Sequence, residues 1–148
     1  MPTTYTDLIA TVRKQTKEVA LDELKRRLDA KEPYTLLDVR EKEEFRAGYI
    51  PGAVSIPRGF LEIQVEGRLP DKHAKIVAYC AGGTRSALAA KTLADLGYTN
   101  VETANPGFVR WKDLGFPIDT PAQLTEAQPA QSNTGPPGSY CCQNFYYW

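Results

Sequence analysis

Cys80 is one of three cysteines in this 148-residue chain, and the residues after it suit a reacting group better than a packed one. It is followed by Ala81, Gly82, Gly83, Thr84, Arg85 and Ser86. The two glycines admit backbone conformations that residues with a Cβ avoid. Ser86 is a good helix N-cap, and Ala87 to Leu96 reads as a helix stopped by Gly97. A helix N-terminus carries roughly half a positive charge and several N–H groups without partners. Both favour an anion, so the position favours a thiolate, which is the nucleophilic form of cysteine. Arg85 adds a cation whose planar donor fork suits oxyanions. The bland alternative is a buried cysteine packed as a small hydrophobe. It leaves glycines, arginine and cap with no common purpose.

A strand must deliver this loop. Ile76-Val77-Ala78-Tyr79 is a continuous apolar run of the kind buried on both faces of a sheet. Behind the loop, Ala89, Leu93 and Leu96 share one helix face. Further strands are expected at Glu18 to Ala20, Tyr34 to Val39, Ala53 to Ile56 and Val101 to Thr103. Helices are expected at Tyr5 to Lys14, with Leu8, Ile9 and Val12 on one side, at Asp22 to Leu28 and at Glu41 to Ala47. A last helical turn falls within Asn105 to Leu114 and carries Trp111, a core residue. Strands alternating with helices predict an α/β fold, a mainly parallel sheet with helices on both faces.

Ligands bind such sheets at the carboxyl ends of the strands. That edge collects Asp38 and Arg40, Arg58, the Cys80 to Arg85 loop, and Asn105 to Phe108. Asp38 and Arg40 read as a structural ion pair supporting the loops, or as pocket rim. Arg58, with Glu62, is either rim or solvated surface. His73, the one histidine, precedes the strand that Cys80 follows, and five extended residues span about 16 Å. It belongs at the opposite edge as a turn residue, which disfavours a Cys–His dyad and a papain-like protease.

Cys80-Ala81-Gly82-Gly83-Thr84-Arg85-Ser86 resembles the active-site loop of the rhodanese family, the single-domain sulfurtransferases, with its C-x-x-G-x-R-[ST] pattern. Leu37-Asp38-Val39-Arg40-Glu41, then Gly48-Tyr49-Ile50-Pro51-Gly52-Ala53 with Ile56-Pro57-Arg58-Gly59, and Gly107-Phe108-Val109-Arg110-Trp111 agree with it in order. Two departures are visible: Tyr49 stands where the family usually has histidine, and Pro106-Gly107 replaces a usual Gly-Gly. The resemblance implies a three-layer rhodanese-like domain over residues 17–119; residues 1–16 precede it as a helical extension that packs or braces. It implies a sulfane sulfur moved from a donor such as thiosulfate, through a persulfide on Cys80, to cyanide, a small thiol or a protein thiol. The amides of Ala81, Gly82, Gly83, Thr84, Arg85 and Ser86 would hold the persulfide, and Arg85, with Arg58, the donor's oxygens. No cofactor and no metal is required.

Two rivals stand beside this reading. A same-fold phosphatase or arsenate reductase uses five residues between cysteine and arginine. Here there are four, a cradle closer to one sulfur atom than to a tetrahedral phosphate. A non-catalytic module that senses sulfur or docks on a partner is the other.

Eighteen basic and eighteen acidic side chains balance to zero, which argues against a nucleic-acid partner. No apolar run approaches the ~18 residues of a membrane span, and the first residues lack the apolar core of a secretory signal. A cytoplasmic protein is expected, and Cys141 and Cys142, adjacent in the tail, do not suit a disulfide framework. One distant histidine and three cysteines do not make a zinc-ligand spacing. From Thr120 to Ser139 the chain is Pro-, Gln- and Ser-rich with a single charge, Glu126, and reads as a linker. Residues 140–148 then hold five aromatics and two cysteines, a cluster suited to docking on a partner, a membrane surface or the protein's own body.

Overall fold

A computed structural model describes residues 3–121, so the expected linker and Cys/aromatic tail lie, from residue 122 onward, outside the described residues. In chain order the elements are α1 Tyr5–Gln15, β1 Lys17–Val19, α2 Leu21–Asp29, β2 Thr35–Asp38, α3 Lys42–Ala47, β3 Val54–Ser55, a 3-10 turn Arg58–Phe60, α4 Leu61–Arg68, β4 Ile76–Tyr79, α5 Thr84–Asp95, β5 Val101–Ala104 and α6 Phe108–Asp113. The five strands form one sheet in the order β1-β5-β4-β2-β3. Every pairing is parallel, and β4 sits at the centre with Leu37 beside Ala78 and Ala78 beside Thr103.

Alternation along the strands sorts the apolar side chains into two cores. Leu37, Val39, Ile76, Ala78 and Cys80 face Leu61 and Val65 of α4 and Ala89 and Leu93 of α5. Leu36, Val77, Tyr79 and Ala104 face Leu21 and Leu24 of α2 and Phe108 and Trp111 of α6. The result is three layers, with Cys80 on the α4/α5 side and Asp38 and Tyr79 on the other. Trp111 is fully buried, and its Nε1 donates to Pro117 O at 2.8 Å. The chain closes on itself through an antiparallel bridge between Tyr49 and Asp119.

Two features depart from the sequence reading. Helix α4 was not expected, because only Leu61 and Val65 of its residues are buried while Ile63 points to solvent at 80% exposure and Gly67 interrupts the run. Helix α5 begins at Thr84 and not at Ala87, so Ser86 is not its N-cap. Gly83 takes that place in the left-handed region at φ 99°. No helix among the described residues is long and apolar enough to cross a membrane.

Candidate active site

The Cys80 loop is held from outside by α6. Phe108 N–H donates to Cys80 O at 2.8 Å and Val109 N–H to Ala81 O at 3.1 Å. These two bonds fix the carbonyls of Cys80 and Ala81 against α6. Gly107 makes the approach possible: a Cβ there would stand 2.2 Å from Cys80 O and 2.6 Å from Ala81 O. On the inner side, Gly83 N–H donates to Cys80 Sγ at 3.0 Å. The thiol in turn donates to Ser86 Oγ at 3.6 Å, and that hydroxyl donates to Gly83 O at 3.2 Å. The first intrahelical bond of α5 is Ala87 N–H to Gly83 O. The amides of Thr84, Arg85 and Ser86 therefore precede the helix ladder and form its positive end. Ser86, displaced from the cap, contributes its hydroxyl to the sulfur instead.

Cys80 is 1% exposed and Gly82 is open to solvent. The sequence reading places the sulfur within a donor's reach. In the structure the thiol is folded inward, and Gly82 is the one exposed residue of the loop from Cys80 to Ser86.

Arg85, Arg40 and Arg58 are each committed to a carboxylate. Arg85 Nη1 and Nη2 bond both oxygens of Glu44 in α3, at 2.7 and 3.0 Å. That pairing holds the Glu44 carboxyl down to about 2. Glu44 also accepts from Glu41 N–H, closing the capping box that starts α3. Arg40 is buried against Asp38, with Nη2 to Oδ2 at 2.7 Å, and it also donates to Gly48 O at 2.7 Å. Its guanidinium lies 3.9 Å from the centre of the Phe108 ring. The pair fastens β2, the Gly48 turn and α6 together, and Arg40 also lines the cleft beside the loop. Beside it, burial pushes the Tyr79 phenol far above its ordinary value, with Asp38 adding to the shift, and Tyr79 Oη accepts from Ile50 N–H. Arg58 bonds Glu62 at 2.9 Å and Thr92 Oγ1 at 3.0 Å. Thr92 lies eight residues along α5 from Thr84, so Arg58 braces the helix some way from the loop. His73 is at the far end of β4, bonded to Thr99 Oγ1.

A cleft of about 250 Å³ opens next to the loop, lined by Arg40, Glu44, Ala81, Phe108, Val109 and Lys112, among others. The sequence reading missed Glu44 and the contact role of Gly107. Glu41-x-x-Glu44 carried a capping signal but nothing linking it to a residue 41 positions away. Among the described residues no group of three or more His, Cys, Asp or Glu side chains is placed to hold a metal ion.

Comparison with known proteins fits this geometry. Residues 20–114 match the rhodanese-like domain family. A putative sulfur carrier protein of Bacillus subtilis, YrkF, is 35% identical over 94 residues, 64% of this chain and 50% of its own length. A sulfurtransferase of Allochromatium vinosum is 33% identical over 104 residues, 70% of this chain and 95% of its own. Among solved structures, a Rhodopseudomonas palustris protein of unknown function, described as a possible tyrosine phosphatase, superposes with a TM-score of 0.72 at 31% identity. That alignment covers 80% of this chain and 99% of the other. The chain thus spans about half of YrkF and nearly all of the other two.

Proposed function

The chain belongs to the rhodanese-like domain family, and on that premise we propose that it moves a sulfane sulfur from a donor such as thiosulfate to a thiophilic acceptor through a persulfide on Cys80. The observation that carries this is the Gly83 amide on Cys80 Sγ at the N-terminal end of α5. Donors fixed there stabilise negative charge on the sulfur before and after it gains a second atom.

The reaction runs in two halves. Cys80 thiolate attacks the outer sulfur of thiosulfate; a sulfur–sulfur bond forms to Sγ, the bond to the sulfonate sulfur breaks, and sulfite leaves with that electron pair. The terminal sulfur of the persulfide carries the negative charge, facing the amides that precede the α5 ladder. Cyanide carbon, or an acceptor thiolate whose proton has gone to solvent, then attacks that sulfur. Thiocyanate or a new persulfide departs, and Cys80 is returned as thiolate. Every step is carried by the loop itself. In this reading the cleft beside Ala81 would receive the acceptor, small or on a protein.

A same-fold phosphatase is the competing reading, given the relative so described. Four loop residues lie between Cys80 and Arg85, and both Arg85 Nη atoms are engaged by Glu44, which suits a phosphate poorly. A non-catalytic sulfur-sensing or docking module is the other.

Mass spectrometry of thiosulfate-treated protein, mapped by peptide, together with two-substrate kinetics, tests all three. One added sulfur on the Cys80 peptide, removed by cyanide, and parallel-line kinetics are expected, with negligible hydrolysis of aryl phosphates. Cys80→Ser should keep the fold and lose transfer. Transfer by that variant, or efficient phosphatase activity of the wild type, ends the proposal. A stable persulfide without turnover would leave the sensing module.

A further inference from the structure

Of the guanidinium groups around the loop, Arg40, Arg58 and Arg85 each face a carboxylate. Arg13 does not. It comes from α1, outside the segment that matches the family, and α1 lies against α5 with Val12 buried at 1% exposure. Arg13 Nη2 stands 3.7 Å from where a Cβ on Gly83 would be. Gly83 is the residue whose amide holds Cys80 Sγ, so guanidinium and sulfur flank the same residue. Asn105 Oδ1 is on that side too, 3.1 Å from the same point, and its amide nitrogen bonds Glu18. Among the described residues Arg13 makes no ion pair, and its Nε is buried with no hydrogen-bond partner. A buried guanidinium N–H without an acceptor is costly, and an oxyanion would relieve it with a forked, charge-assisted contact.

We propose that Arg13 is an anion-binding residue of the Cys80 site, holding the charged oxygens of the incoming sulfur donor over Gly83 while its outer sulfur meets Sγ. The assignment of the anion as a sulfur donor rests on the sulfur-transfer reading above. The anion preference itself does not.

A pair of alkylating agents separates the two. Iodoacetate and iodoacetamide react alike with a thiolate and differ by one negative charge. Their rates at Cys80, followed on the Cys80 peptide, give a ratio insensitive to thiol reactivity as such. Arg13→Gln should lower the iodoacetate-to-iodoacetamide ratio roughly three- to tenfold, as expected for one charge at short range near a surface. Arg13→Glu should lower it further, and Arg13→Lys should keep most of it. Arg13→Met preserves the packed stem and repeats the test should the glutamine variant unfold. In turnover the glutamine variant should raise KM for thiosulfate by a similar factor with kcat little changed. An unchanged ratio in folded Arg13→Gln and Arg13→Met overturns the proposal even if sulfur is transferred. A lowered ratio in a protein that transfers no sulfur would keep the anion site and remove the sulfur-transfer reading instead.

Discussion

Gly107 shows how closely one residue can determine a reacting centre it does not touch through a side chain. Its backbone lies against two carbonyls of the cysteine loop, and any Cβ would overlap them. Backbone cannot swing aside as a side chain can, so Gly107→Ala must displace Cys80 and Ala81 together. We expect a loss of about 1–3 kcal/mol in urea unfolding. Transfer should fall at least tenfold, because the Gly83 amide on the sulfur moves with the loop. Glu44 is the second such residue. A carboxyl whose folded pKa lies below its unfolded value stabilises the fold above the unfolded value, and that stabilisation is lost as pH falls through the folded one. The Glu44–Arg85 clamp is therefore fully present at neutral pH and released between 4.5 and about 2. Both side chains are about a third exposed, at 35% and 32%, so screening keeps the gain near ~1 kcal/mol. Glu44→Gln retains an N3 side chain able to close the capping box. It should be less stable than wild type at pH 7 by that amount and indistinguishable from it near pH 2, measured by urea unfolding at both.

Among the elements, α6 and the Asp38–Arg40 pair fasten the site to the sheet. Arg40 bonds Asp38, Gly48 O and the Phe108 face from a position 3% exposed. Arg40→Ala leaves Asp38 charged at zero exposure, which costs roughly 3–5 kcal/mol. Replacing both, as Asp38→Asn with Arg40→Met, should recover part of that loss, and chemical denaturation of the three variants checks it. What sequence made legible follows the same boundary between local and distant. The strand Ile76–Tyr79, the loop after it and the α5 face of Ala89, Leu93 and Leu96 are contiguous patterns, read directly from period and residue type. The start of α5 was misplaced because a glycine in the left-handed region can cap as Ser86 would, and the residue types alone favoured serine. Helix α4 was hidden by its own narrow buried stripe. Glu44 and Arg13 reach the loop from 41 and 70 residues away from Arg85 and Gly83. Only the folding of α3 and α1 onto the sheet brings them there.

At the scale of the molecule, the sheet order places β4 at the centre with its carboxyl end open to the site and His73 at the other end. The described chain finishes by returning to the body. Asp119 bridges Tyr49, Pro117 O accepts from Trp111, and the Phe116 ring meets Trp111 edge-on at 4.9 Å. A chain ended after Pro121 should keep all three and retain both its melting temperature and its sulfur transfer. One ended after Gly115 loses them all, leaves the buried Trp111 nitrogen unpaired, and should melt markedly lower; calorimetry and transfer assays on the two decide it. The two outer strands have a different consequence. Both margins of an open sheet carry backbone groups ready to pair with another chain. Here β1 is three residues long with Lys17 and Glu18 exposed, and β3 is only two, with the Ser55 carbonyl already taken by Arg68. Neither margin offers a stranger a length of ladder to extend. A sheet guarded in this way at both margins is a poor template for aggregation.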